Sequence, residues 1–270
     1  TAKVTIVSGA MDTQYAFTTY TLTSVTVNYS GTDQSISNHT YSNLTVSGTV
    51  TGASTGTIAG TLTVDSTKSL TPSSGTIAMT NGSIVNNAVA GNVIFQNLTI
   101  NAGTTTTSSS FSVDGALTAT GTFAPSGGTI TMTGTGWSIS GSPTFSGLKI
   151  SGTPGTQPTT SFGVTGALTV DSGITLAPTA GTITMTGGSI VNNGGATTNL
   201  VFNNLTIATG TTTTTTSFSV AGALTSTGTF TASSASVITL NGGASIANAA
   251  GALTFYDLTT ASGAVTSARS

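Results

Sequence analysis

The chain has 270 residues, of which 36% are hydrophobic and only 4% charged, with a net charge of −2. Four basic residues spread along the chain (Lys3, Lys68, Lys149, Arg269) cannot form a phosphate-binding face, so nucleic acid is not an expected partner. Cysteine and glutamate are both missing, which removes disulfides, thiolate metal sites, thiol catalysis and glutamate-based acid–base chemistry. The low-complexity appearance does not indicate disorder, because disorder couples low hydrophobicity to high net charge.

Residues 1–40 differ from the remainder of the chain and are expected to form a divergent β segment. The opening TAKVTIV reads as a strand, as at a processed mature terminus, and VTVNYSG at 25–31 reads as another. Four of the five tyrosines (Tyr15, Tyr20, Tyr29, Tyr41) and the single histidine, His39, fall here or at its border. The segment is read either as an end cap or assembly element, or as a degenerate first repeat.

From residue 41 to 270 a repeat takes over. YSNLTV at 41–46 returns as FQNLTI at 95–100, FSGLKI at 145–150, FNNLTI at 202–207 and FYDLTT at 255–260, at spacings of 54, 50, 57 and 53 residues. Two further pieces recur between them in fixed order. GTLTV at 60–64 returns as GALT at 115–118, 166–169 and 222–225, and GTIAM at 75–79 returns as GTITM at 128–132 and 181–185. Each piece alternates apolar and hydroxyl residues with period two, the pattern of a strand with one buried face, and Gly, Asn, Ser and Pro fill the gaps.

Such short strands cannot bury an apolar face alone, whereas stacked copies can. The expected fold is therefore all-β, a parallel β-solenoid with repeats of about 53 residues, three strand segments each, and about 18 residues per coil with three coils to a period. The alternative is a string of tandem antiparallel β-sandwiches, disfavoured by few tight hairpin signals and too short a period. The expected repeat core is Phe95, Leu98, Ile100, Phe145, Leu148, Ile150, Phe202, Leu205, Ile207, Phe255 and Leu258.

Chemistry-bearing residues are sparse. Asp65 and Asp171 hold the same repeat position and suggest turns rather than catalysis. His39 has no second His or Cys to complete a metal site. The asparagines of the NLT motif (Asn43, Asn97, Asn204) are read as bonding across a coil corner. The stretch 152–160, GTPGTQPTT, is read as a solenoid corner or, alternatively, a recognition loop. No enzyme activity, cofactor or metal is expected, and no apolar run reaches the length of a membrane span.

The run VNYSGTDQSISNHTYSNLTVSG at 27–48 and the GALT/GTIT pieces after it resemble the repeats of large bacterial surface proteins, similar in style to filamentous-haemagglutinin-like adhesins. The resemblance implies a secreted or cell-surface protein without catalytic residues. The expected function is a structural subunit of an extracellular filament, a homopolymer formed by β-strand addition at the ends. Val4, Ile6, Val25 and Val27 are the expected assembly residues at one end, Leu253 and Phe255 at the other. The rivals are an adhesin stalk or fragment binding a surface glycan, a threonine face that binds ice, and a polysaccharide-active enzyme.

Overall fold

A computed structural model describes residues 2–16, 20–248, 251–261 and 266–269, with side chains left out for 248 and 266–269. Parts of the two expected end segments, among them 17–19 and 262–265, lie outside the described residues. The molecule is nearly all β, with parallel strands stacked as a β-solenoid of about 13 turns. The chain divides into two compact units, Thr1–Thr131 and Met132–Ser270.

In the first unit, one sheet runs in the order Ala2–Ile6, Val25–Tyr29, Asn43–Val46, Thr61–Val64, Gly82–Asn86, Thr104–Thr107, Thr122–Pro125. A second contains Thr40–Tyr41, Gly56–Ile58, Thr76–Met79, Asn97–Ile100 and Ala116–Ala119. The third side is made of shorter pairs, Thr49–Val50 with Ser69–Leu70 and Ile94–Phe95 with Phe111–Val113. Chain order visits the three sides in rotation, so each turn contributes one strand to each. The residues expected as a distinct segment, 1–40, supply the first two strands of the first sheet, and these ladder directly onto Asn43–Val46.

The second unit repeats the plan. One sheet holds Leu148–Ile150, Leu168–Val170, Gly188–Asn192, Thr211–Thr214, Thr229–Ala232 and Ala252–Thr254. Another runs from Thr144–Phe145 through Phe162–Val164, Thr182–Met185, Asn204–Ile207, Ala223–Ser226 and Ser245–Asn248 to Thr266–Arg269. The last contains Val201–Phe202, Phe218–Val220, Val237–Leu240 and Asp257–Thr260.

Turn length corrects one expectation. Leu44 pairs with Leu62, Leu62 with Ile84 and Ile84 with Thr107, giving turns of 18, 22 and 23 residues. Leu98, one repeat after Leu44, falls between Ile84 and Thr107. A period is therefore not three turns: it spans two turns and part of a third. From Asn43–Val46 to Asn97–Ile100 the chain takes eight strand steps, and three make a turn. The second unit behaves alike, with Leu205 falling between Ile190 and Thr214, paired partners on the sheet of Leu148. Successive copies of the motif consequently lie on different sheets.

Inside each unit the period-two pattern sorts the residues. In Asn97–Ile100 and Asn204–Ile207, Leu and Ile are fully buried while Asn and Thr face outward. β-branched threonine suits the outer row of a pleated sheet. Aromatic side chains of neighbouring turns meet edge to face: Phe95 on Phe111 at 5.2 Å, Phe145 on Phe162 at 6.0 Å, Phe202 on Phe218 at 5.1 Å and Phe218 on Phe230 at 6.1 Å. This is the geometry the ring quadrupole favours.

The NLT asparagines tie three turns together. Asn204 donates Nδ2 to the Gly181 carbonyl one turn back (3.1 Å) and accepts the Ala223 N–H one turn ahead (2.8 Å). Asn97 does the same between Gly75 (3.0 Å) and Ala116 (2.9 Å). The turn ahead must carry glycine at this corner. A Cβ on Gly222 would stand 2.5 Å from both the Asn203 carbonyl and Asn204 Oδ1, and one on Gly115 would meet Gln96 and Asn97 in the same way.

These contacts set the expected cost of two substitutions. Asn204→Ala strands a backbone N–H and a carbonyl, and is expected to lower unfolding free energy by about 1–3 kcal/mol in a denaturant titration. Phe218→Ala removes the middle ring of a three-ring stack and is expected to lower it by about 3–5 kcal/mol; an effect under that of Asn204→Ala would show that the rings contribute little beyond filling space.

Candidate functional site

The described carboxylates are dispersed rather than grouped, and among the described residues no cluster of three or more His, Cys, Asp or Glu could hold a metal ion. Asp65 and Asp171 sit in turns whose carbonyls accept from Lys68 and Ile174, three residues on. Asp114 accepts from Gln96, and Asp33 from Thr51. Asp171 also takes Ser151 (2.6 Å), Lys149 (3.0 Å) and Asn193 (3.4 Å) from the neighbouring turns. Burial pulls its pKa upward, but the Ser151 and Lys149 contacts outweigh this and hold the carboxyl below its usual range.

The stretch 152–160 is laid onto the ladder of its own unit. Trp137, fully buried, donates Nε1 to the Gly152 carbonyl (2.8 Å) and bridges in parallel to Pro154. Gln157 donates to the Thr175 carbonyl and accepts the Ala177 N–H. This stretch is one side of a turn. Outward threonines pair in both columns only where Thr211 and Thr213 face Thr229 and Thr231. The preceding turn offers Ser189 opposite Thr213, and the following one places Ala252 beside Thr229.

At the first strand the edge is occupied. The helical turn α1 (Met11–Gln14) folds back beside Ala2–Ile6. Gln14 Nε2 and the Tyr15 hydroxyl both donate to the Thr5 carbonyl at 3.2 Å, and Gln14 Oε1 accepts the Val7 and Ser8 N–H groups. Of the expected assembly residues here, Ile6 and Val27 are fully buried and Val4 and Val25 partly so. Asp12 bonds His39, which fixes α1 to the next turn and holds the Asp12 carboxyl below its usual range. Beneath lies a closed polar circuit. The Ser37 N–H donates to the Tyr29 hydroxyl, which meets the Tyr41 hydroxyl at 3.1 Å, and Tyr41 donates to the Ser37 carbonyl at 2.7 Å. Burial raises the pKa of both phenols.

The strand Asp257–Thr260 has the opposite character. It pairs with Val237–Leu240 on one side, placing Leu258 on Ile238, while Phe255 leans on Phe230 at 5.8 Å. Yet Leu258 is 40% exposed and Tyr256 65%, and Phe255 and Leu253 are only half covered. The equivalent Phe95, Leu98, Phe145, Leu148, Phe202 and Leu205 are fully buried, as are Ile100, Ile150 and Ile207. The apolar edge at 253–258 is thus the outstanding uncovered surface among the described residues. Tyr256, Gln14 and Tyr15 matter to these two edges and went unnoticed in the sequence; the break of FxNLTI into FYDLTT, with a large aromatic at an outward position, was the available signal.

Fold and edge together define a parallel β-solenoid repeat protein. Comparison with protein-family models, curated proteins and solved structures found no match to this chain. Among the described residues, no helix is long and apolar enough to cross a membrane.

Asp12 and Asp171 give the site a pH dependence with a definite sign. Both carboxyls have folded pKa values depressed below the unfolded value, about 3.9 for Asp. Their contribution to stability is present above that value and is lost as pH falls through the lower folded value. Denaturation midpoints are therefore expected to drop between pH 5 and pH 2, and Asp171→Asn to flatten part of that drop; an unchanged slope would show that the Lys149–Asp171 contact contributes nothing.

Proposed function

We propose that the chain is a structural component of an extracellular filament, extended by parallel strand addition at the 253–260 edge. The single observation that supports this is the uncovered motif strand, whose Leu258 stays exposed and Phe255 half covered where Leu98, Leu148, Leu205 and their partner phenylalanines are buried. Covering such a leucine is worth about 1.5–3 kcal/mol, and the strand also presents an unsatisfied ladder edge. With a net charge of −2, little repulsion opposes association. The first-strand edge, its Thr5 carbonyl already bonded, favours growth from the 253–260 edge alone. Filament building is a non-catalytic role, consistent with carboxylates spent on turns and cross-turn contacts.

Sedimentation and negative-stain microscopy over a concentration series test this. The unaltered chain is expected to form growing end-joined assemblies, and Leu258→Asp to remain in small species. Equal association of the two, or no association of the unaltered chain, would overturn the proposal.

A further inference from the structure

The earlier copies of the motif show what covers such an edge. In the first unit, Asn43–Val46 is followed in its sheet by Thr61–Val64, and Asn97–Ile100 by Ala116–Ala119. In the second, Leu148–Ile150 is followed by Leu168–Val170, and Asn204–Ile207 by Ala223–Ser226. The covering strand reads Gly-x-Leu-Thr every time, beginning at Gly60, Gly115, Gly166 and Gly222. Leucine lands on leucine in each pair: Leu62 on Leu44, Leu117 on Leu98, Leu168 on Leu148, Leu224 on Leu205.

The glycine is imposed by the strand beneath. A Cβ on Gly60, Gly115, Gly166 or Gly222 would stand 2.4, 2.3, 2.3 or 2.5 Å from the carbonyl oxygen of Ser42, Gln96, Ser146 or Asn203. Each of these carbonyls lies two residues before the motif leucine. Where asparagine follows, its Oδ1 accepts the next N–H of the covering strand, from Thr61, Ala116 or Ala223. In the exposed copy the corresponding positions are Tyr256, Asp257 and Leu258.

We infer that the Tyr256–Leu258 edge is a docking site for an extended Gly-x-Leu-Thr strand of a second polypeptide of the same repeat type. The inference rests on the strand-addition reading above and names its partner. The Tyr256 carbonyl admits only glycine at the first position. The Asp257 carboxylate, exposed and acceptor-only, takes the following N–H, with a charge-assisted bond where earlier copies use an amide. The incoming leucine covers Leu258, and its threonine lies beside Thr259.

The test adds an octapeptide with the sequence of residues 114–121, Asp-Gly-Ala-Leu-Thr-Ala-Thr-Gly, at millimolar concentration to the full chain. Hydrogen–deuterium exchange is read over residues 252–260. The peptide is expected to slow exchange at 257–260, and its Gly→Ala version to need about tenfold more for the same protection, one contact's worth of affinity. Asp257→Ala in the chain is expected to weaken the protection several-fold, and Asp257→Asn to retain most of it. Equal protection by the Gly→Ala peptide, protection confined to another edge, or none at all would each overturn the inference. Exchange at 257–260 that slows with rising chain concentration, but ignores the peptide's glycine, sinks the strand pattern and leaves the structural reading standing. Exchange indifferent to chain concentration sinks the structural reading itself.

Discussion

The parallel backbone ladder between turns is what everything else in this molecule depends on. A strand of three to five residues has no partner within its own turn. Its N–H and C=O groups are satisfied only by the turn before and the turn after. Each turn must therefore match its neighbours in register, and the side chains that fix register carry unusual weight. The NLT asparagine is the clearest of these. It reaches back to one turn with its amide nitrogen and forward to another with its oxygen. A slip of one residue would send Leu and Ile outward and Thr inward.

Cross-turn pairing also explains why polar residues sit where they do. The few charges are spent locally, as in Asp171 with Lys149 and Ser151, or Asp12 with His39. The Tyr29–Tyr41–Ser37 circuit is a similar local solution. Tyr41 begins the first motif copy, where the other copies have phenylalanine, and its buried hydroxyl finds both a donor and an acceptor. Phe95, Phe145 and Phe202 need no such partner and instead meet another ring edge to face.

Strand type, the buried phase of each strand and the coil-corner role of Asn43, Asn97 and Asn204 were legible in the sequence, because alternation and spacing are local properties. The number of turns per period was not. Nothing in FQNLTI says which of three similar sides it will occupy, and turns of 18, 22 and 23 residues differ through corner insertions that carry no periodic signal. The contrast between the two edges was also hidden. Whether Thr5 is bonded by Gln14 and Tyr15, or Leu258 left uncovered, depends on contacts between residues whose spacing follows no repeat.

The mismatch between eight strands per repeat and three per turn has a further bearing on how such molecules meet sideways. Within the second unit the copies at Leu148, Leu205 and Leu258 occupy three different sheets. Like outward residues are thereby distributed around the circumference instead of being collected into one long uniform stripe. Two molecules lying flank to flank find no extended self-complementary strip of the kind that locks amyloid sheets together. Adhesion through the flanks is discouraged while stacking along the ladder stays open, so the repeat's arithmetic favours slender, separate strands of material over bundled or tangled ones.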